Sequence, residues 1–257
     1  MMLRKREVIA ATVVAVILAA FFAGSIILRD NAFKIDEVHW RGNPIPPCFQ
    51  DAATCGGHAL GADENARDEF ARLVVGGWVT LWISFVAAII ALAGAFVLRA
   101  AARYGGSIVR FIVMRAADAV ACIPAWPIAA AVVSLMSFRH NSLFAPSWWE
   151  LAILLAAVVW PQVTRFAVMT ASHRLLMNQT ARNWRSAILI LSTVDFLGFG
   201  VQAPTPSWGN MLAGAESSLQ DQWWAAVLPG ICIFLAVFSI ELARRAIFGS
   251  GAQQQPR

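Results

Sequence analysis

Charge is what this sequence has least of. Only 14% of its 257 residues are Asp, Glu, Lys or Arg, while 59% are hydrophobic and the mean hydropathy is +0.63. A soluble domain carries about 25% charged residues and is about half apolar. An ordinary soluble domain is thereby excluded, and the length suits one polytopic membrane domain. Enzyme constellations are missing as well. There is no G-x-x-x-x-G-K-[ST] phosphate loop, no H-E-x-x-H, no G-x-S-x-G and no paired-Cys metal motif. His39, His58, His140 and His173 are scattered. The expectation is no enzyme, no catalytic residue, no cofactor and no metal. The net charge of +5 carries no nucleic-acid signal, because the basic residues sit in flanks between apolar runs. No internal repeat is visible, and the only low-complexity stretch is the polar tail Gly249–Arg257.

What is there is a series of apolar runs. Val8 to Leu28 follows Arg4, Lys5 and Arg6. As a helix it is about 31 Å long at roughly 1.5 Å per residue, enough for a hydrocarbon core of about 30 Å. It exceeds the roughly 7–15 apolar residues of a signal peptide, so it reads as an uncleaved first membrane helix. Trp78–Leu98, Ala119–Ser137, Trp148–Ala171, Ser186–Gly200 and Ala225–Leu242 supply five more spans. The segments between them alternate in charge. Those assigned inside hold fourteen of the twenty Lys and Arg, and those outside hold eleven of the fifteen acids. Lys and Arg favour the cytoplasm, so both termini are expected there. The predicted architecture is all-α with six transmembrane helices. It divides into residues 1–77 (first span, outer loop and amphipathic segment), 78–245 (a five-helix core) and 246–257 (tail). The eleven Trp suit interfacial anchoring.

The outer loop Arg29–Gly77 is polar, and Pro44, Pro46 and Pro47 exclude helix there. Cys48 and Cys55 lie in it with six residues between them. Outside the cytoplasm they are either a small disulfide loop or two free thiols. A zinc site is disfavoured, since only His39 and His58 lie near and the spacing fits no standard pattern. Cys122 and Cys232 fall in apolar runs and read as inert small hydrophobes.

The most specific stretch is Ser192–Leu212, Ser-Thr-Val-Asp-Phe-Leu-Gly-Phe-Gly-Val-Gln-Ala-Pro-Thr-Pro-Ser-Trp-Gly-Asn-Met-Leu. It reads as a membrane helix ending in an interfacial hairpin. Small residues permit close helix approach, proline stops the helix, and Trp208 is expected at headgroup depth. The run resembles the L-S-F-L-G-L-G-V-Q-x-P-x-P-S-W-G-x-M-L signature of the permease subunits of dipeptide, oligopeptide and nickel ABC importers, of the C type (DppC/OppC-like). Leu197, Gly198, Gly200, Pro204, Pro206, Ser207, Trp208, Gly209 and Met211 carry the match. His58, Leu60, Gly61, Asp63, Arg67 and Asp68 match the family's H-P-L-G-T-D-x-x-G-R-D, with Ala59, Ala62 and Ala66 replacing Pro, Thr and Gly. Pro229-Gly230 matches its entry to the last span, and Arg115 with Asp118 its R-x-x-D element.

The resemblance implies the type I ABC importer permease fold in the cytoplasmic (inner) membrane. It also implies a second permease completing the pore, two cytoplasmic ATPase subunits and an extracytoplasmic binding protein. Substrate would be a short peptide, or less often a nickel chelate, moved by alternating access. The chain departs from the family after the fourth span. Where the family carries an E-A-A-x-A-x-G coupling helix, only Ser172–Arg185 is present, with Thr180-Ala181-Arg182 as its remnant. That stretch is expected to be a short basic loop holding at most a turn or two of helix, too short for the family's usual coupling element. A coupling-deficient partner that stabilises or regulates a second permease is the alternative, and an ion-driven secondary transporter is a third reading. Asp195, an acid within the fifth span, is either a pathway residue or a helix-end acid bonded to a neighbour.

Overall fold

A computed structural model of the chain describes residues 2–36, 45–51, 55–122, 127, 147–169 and 172–248. Among them every regular element is helical, and β-structure is limited to the isolated bridges Ile35–Arg67 and Ala62–Asp68. The helices are α1 (Met2–Ile27), α2 (Arg29–Phe33), α3 (Glu69–Tyr104), α4 (Gly106–Ala121), α5 (Trp148–Met169), α6 (His173–Phe196), α7 (Trp208–Gly214) and α8 (Trp223–Phe248), with a 3-10 turn at Glu216–Ser218. By length and composition α3, α5 and α8 are long and apolar enough to cross a membrane, and α1 has an apolar stretch at Thr12–Ile27. The chain has the all-α make-up of a polytopic membrane protein. Pro124, most of the third span Ala119–Ser137, most of the loop Phe138–Ser147, the tail Gly249–Arg257, and His39, Pro44 and His140 lie outside the described residues.

Helix α3 has 36 residues, about 54 Å of helix, well beyond one hydrocarbon core. Its apolar stretch Trp78–Leu98 is long enough to cross one, and Glu69–Gly77, which carries Glu69 and Arg72, precedes it. Helix α5 buries Leu151, Leu155, Val159 and Val163, a four-residue stripe at helical spacing. Helix α8 does the reverse, exposing Ile231, Phe234, Leu235, Phe238 and Leu242. Such a face suits lipid.

The chain forms two compact units. The first, called the signature unit below, comprises Val16–Leu81 and Ser192–Leu235. The second, called the basic unit, comprises Met1–Ala15, Trp82–Leu191 and Ala236–Arg257.

Two expectations are corrected. The stretch Ser172–Arg185 is not a loop, because His173 onward is the first half of the unbroken 24-residue helix α6. Its buried side over this half is mixed, with Gln179, Thr180 and Asn183, all at most 8% exposed, beside Leu176 and Trp184. Trp208 does not sit with a wet N–H at headgroup depth. It is 1% exposed and paired inside the protein.

Candidate functional site

In the signature unit the Ser192–Leu212 run folds into a tight knot. Helix α6 ends at Phe196, and Gly198 turns the chain at φ +80°, a conformation glycine adopts without steric cost. The returning segment reaches Asp195, whose Oδ1 accepts the Val201 N–H at 2.8 Å. Asp195 is 1% exposed. A Cβ on Gly200 would overlap the Asp195 carboxylate, and one on Gly209 would meet the Ser192 carbonyl and the Asp195 side chain. The two signature glycines therefore exist so that the backbone can close on Asp195. The peptide before Pro204 is cis.

Ser207 then caps α7. Its Oγ accepts the Asn210 N–H at 3.2 Å, while Asn210 Oδ1 accepts the Ser207 N–H at 2.9 Å. This is a reciprocal capping box. The Asn210 amide also donates to the carbonyls of Val201 and Thr205, both at 2.9 Å. Asn210 fills a variable place of the signature, and only the Ser-x-x-Asn spacing could have pointed to it. Trp208 donates its backbone N–H to Thr80 Oγ1 at 3.2 Å and its indole N–H to the Leu73 carbonyl at 3.0 Å. Its ring meets Phe21 edge-on at 5.6 Å and lies where a side chain at Gly77 would go. Met211 is buried, whereas Leu197 is exposed. Pro229 and Gly230 lie inside α8, and Gly230 faces open space.

The second motif builds a neighbouring knot at the start of α3. Asp68 Oδ1 accepts the Ala71 N–H at 2.7 Å, and its Oδ2 lies 2.7 Å from His58 Nδ1. His58 Nε2 lies 3.1 Å from Asp36 Oδ2. Burial works against a charge on His58, but the hydrogen bonds and negative charge of Asp68 and Asp36 outweigh it and raise its pKa above the ordinary 6.5. Asp63 accepts the backbone N–H groups of Asn65 and Arg67 and the Arg67 guanidinium at 2.7–2.8 Å. Gly61 has φ +80°, and a Cβ there would strike the Ile45 carbonyl. Ala66, where the family has glycine, is also left-handed at φ 57°. Cys48 and Cys55 are joined in a disulfide with Cα atoms 4.9 Å apart, within the usual range.

The basic unit holds the candidate coupling residues. Thr180 is buried and donates to the Leu176 carbonyl at 3.0 Å. Ala181 is half-buried and Arg182 is exposed. Of the three, Arg182 is the one presented to solvent. Leu175 and Met177 are exposed on the same helix. Below them α6 is anchored twice. Trp184 donates to Ser84 Oγ at 3.2 Å and stacks edge-on against Phe85. Arg185 meets Glu241 Oε2 at 2.7 Å. Glu241 also receives the fork of Arg244 at 2.6 and 2.8 Å, and Arg245 at 2.7 Å, while Arg244 reaches Asn178 at 2.8 Å. In α4, Asp118 pairs with Arg115 at 3.8 Å and with Arg165 at 3.3 Å.

Known proteins similar to this chain are peptide-transport permeases. It is 31% identical over 213 residues to the di/tripeptide transport system permease protein DppC of Pseudomonas aeruginosa, covering 71% of this chain and 68% of that protein. It is 28% identical over 260 residues to the dipeptide transport system permease protein DppC of Escherichia coli K12, covering 90% and 82%. A DppC of Alkalihalophilus pseudofirmus is 28% identical over 207 residues, covering 72% and 68%. No family profile matches the chain.

Proposed function

The chain belongs to the DppC-type permease family of peptide ABC importers, and on that premise we propose that it forms one half of a pore in the cytoplasmic membrane. A second permease completes the pore. Two ATPase subunits bind from the cytoplasm, and an extracytoplasmic binding protein delivers short peptides. Hydrolysis takes place on the partners, and this subunit changes between outward- and inward-open states in response.

One observation carries the coupling part of this reading. The first half of α6 is helical, anchored by Trp184 and Arg185, and it exposes Leu175, Met177 and Arg182. Two apolar side chains and a guanidinium on a braced helix suit insertion into a groove on an ATPase. The coupling-deficient alternative rested on the brevity of this stretch and its incomplete E-A-A-x-A-x-G pattern; a continuous helix that exposes these side chains supports the coupled reading over it. The ion-driven alternative rested on Asp195, whose burial inside the hairpin that Gly200 and Gly209 let close on it supports a structural role instead.

The test is reconstitution. The chain, a second permease and an ATPase pair in proteoliposomes, with the binding protein and a labelled dipeptide, are expected to give uptake that requires ATP. Uptake driven by a proton or sodium gradient without ATP would overturn the reading.

A further inference from the structure

The start of α3 contains a buried cation that its neighbours do not satisfy. Arg72 is 6% exposed and pairs through Nε with Asp63 Oδ2 at 3.2 Å. Neither that Nε nor Nη1 has a hydrogen-bond partner. A buried guanidinium left this way costs free energy, since each buried donor forgoes its water. Asp63 has little left to give, because Arg67 and two backbone N–H groups already occupy both its oxygens.

Arg72 faces a cavity of about 60 Å³, also lined by Glu64, Glu69, Asn210, Ser218 and Gln222. One water requires about 10–15 Å³ of such space, so a small polar group of several atoms fits. The groups without partners are donors or hydroxyls, since Ser218 Oγ is buried and unpaired as well. The acceptors are largely taken, since Glu64 binds the Ser217 hydroxyl at 2.7 Å and the Asn210 side chain is spent on the hairpin. Glu69 is 2% exposed and precedes the crossing stretch of α3. Burial pushes its carboxyl up to about 8, against the pull of Arg72 and with a push from Asp63 and Asp68. It is therefore mostly protonated at neutral pH and offers one more donor. The rim, at Glu64 and Asn65, is exposed.

We propose that this pocket binds a carboxylate, the C-terminal group of a short peptide, on the Arg72 guanidinium. An Arg–carboxylate pair is a strong, directional contact, and it would select peptides by their free C-terminus on the outer side of the subunit. The proposal rests on the peptide-importer reading but is separable from it, because it concerns binding without ATP.

The test uses the assembled importer in detergent with Glu64→Cys at the rim, read as the rate of maleimide labelling at that site. Tri-alanine at about ten times its dissociation constant should slow labelling about tenfold. Tri-alanine amide, which lacks the carboxylate, should not, and neither should tri-alanine with Arg72→Gln. Equal protection by the amide would overturn the proposal without recourse to any Arg72 variant. Protection by acetate at the same concentration as tri-alanine would overturn the assignment to a peptide. So would protection by the binding protein without peptide, which would assign the carboxylate to that partner. If ATP-driven uptake persists while tri-alanine gives no protection, the pocket proposal fails and the importer reading stands.

Discussion

In the signature unit the central side chain is Trp208, and in the basic unit it is Glu241. Trp208 is neutral, 1% exposed, and both of its N–H groups are paired. Around it the fit is steric, with Gly77, Gly200 and Gly209 leaving no room for a Cβ. Glu241 is charged, its side chain is 16% exposed, and three guanidinium groups converge on it. The first arrangement is brittle to volume and indifferent to salt. The second tolerates changes of shape and weakens as ions screen it. The difference suits the proposed roles, in which the hairpin keeps one shape while the helix that would dock an ATPase yields as its partner moves.

The largest effect expected is at Trp208. Trp208→Ala should destabilise the signature unit by about 3–5 kcal/mol, read as a lower melting temperature of the purified importer and loss of uptake. A melting temperature equal to that of Gln253→Ala would remove Trp208 from the centre of the comparison. Next comes Glu241→Gln, expected to cost about 1.5–3 kcal/mol, with most of the difference from the native chain disappearing in 1 M salt. A cost that salt leaves unchanged would mean that shape, not charge, holds the basic unit. Arg245 is 70% exposed at its side chain, so Arg245→Ala should change little.

The signature unit also holds charged groups at the start of α3, and one of them gives a smaller, pH-dependent effect. His58 is raised by Asp68 and Asp36 above 6.5. Its contribution is complete below about pH 6.5 and is lost as pH rises through the raised folded-state value. Melting temperature should therefore fall across that range in the native chain and not in His58→Gln. Ala66→Gly should have a small effect, a gain of at most about 1.5 kcal/mol, since a left-handed Ala costs about 1–2 kcal/mol and the extra freedom of Gly costs back about 0.5–1. A loss there would show that the Ala66 methyl, packed with Ile45 and Ala62, matters more than its backbone.

The signature was legible because it is local. Gly198, Ser207 and the Pro204–Pro206 break act on their immediate neighbours, and spacing reveals them. The apolar runs at Trp78–Leu98, Trp148–Ala171 and Ala225–Leu242 were legible for the same reason. What escaped was whatever depends on distant partners. Trp208 binds a carbonyl 135 residues away, and nothing in the types of Trp208 or Leu73 marks the pair, so an interfacial Trp was expected. Arg72 escaped for the same reason, since its unmet N–H groups follow from how Asp63 is shared. The first half of α6 reads as a loop in the sequence because it is basic and polar, with His173, Arg174, Arg182 and Arg185 interrupting its apolar positions. Gln179 bonds Asn183 across one turn at 3.3 Å, and a search for apolar periodicity passes over such a helix.

The central claim is that this subunit couples to an ATPase through the first half of α6. The direct measurement is co-purification of the ATPase pair with the two permeases, comparing the native chain with Leu175→Asp combined with Arg182→Glu. Neither residue is buried, so the variant should fold and keep its second permease. The account predicts that the native chain retains the ATPases and that the double substitution releases most of them. Equal retention by the variant would place docking entirely on the other permease and contradict the claim.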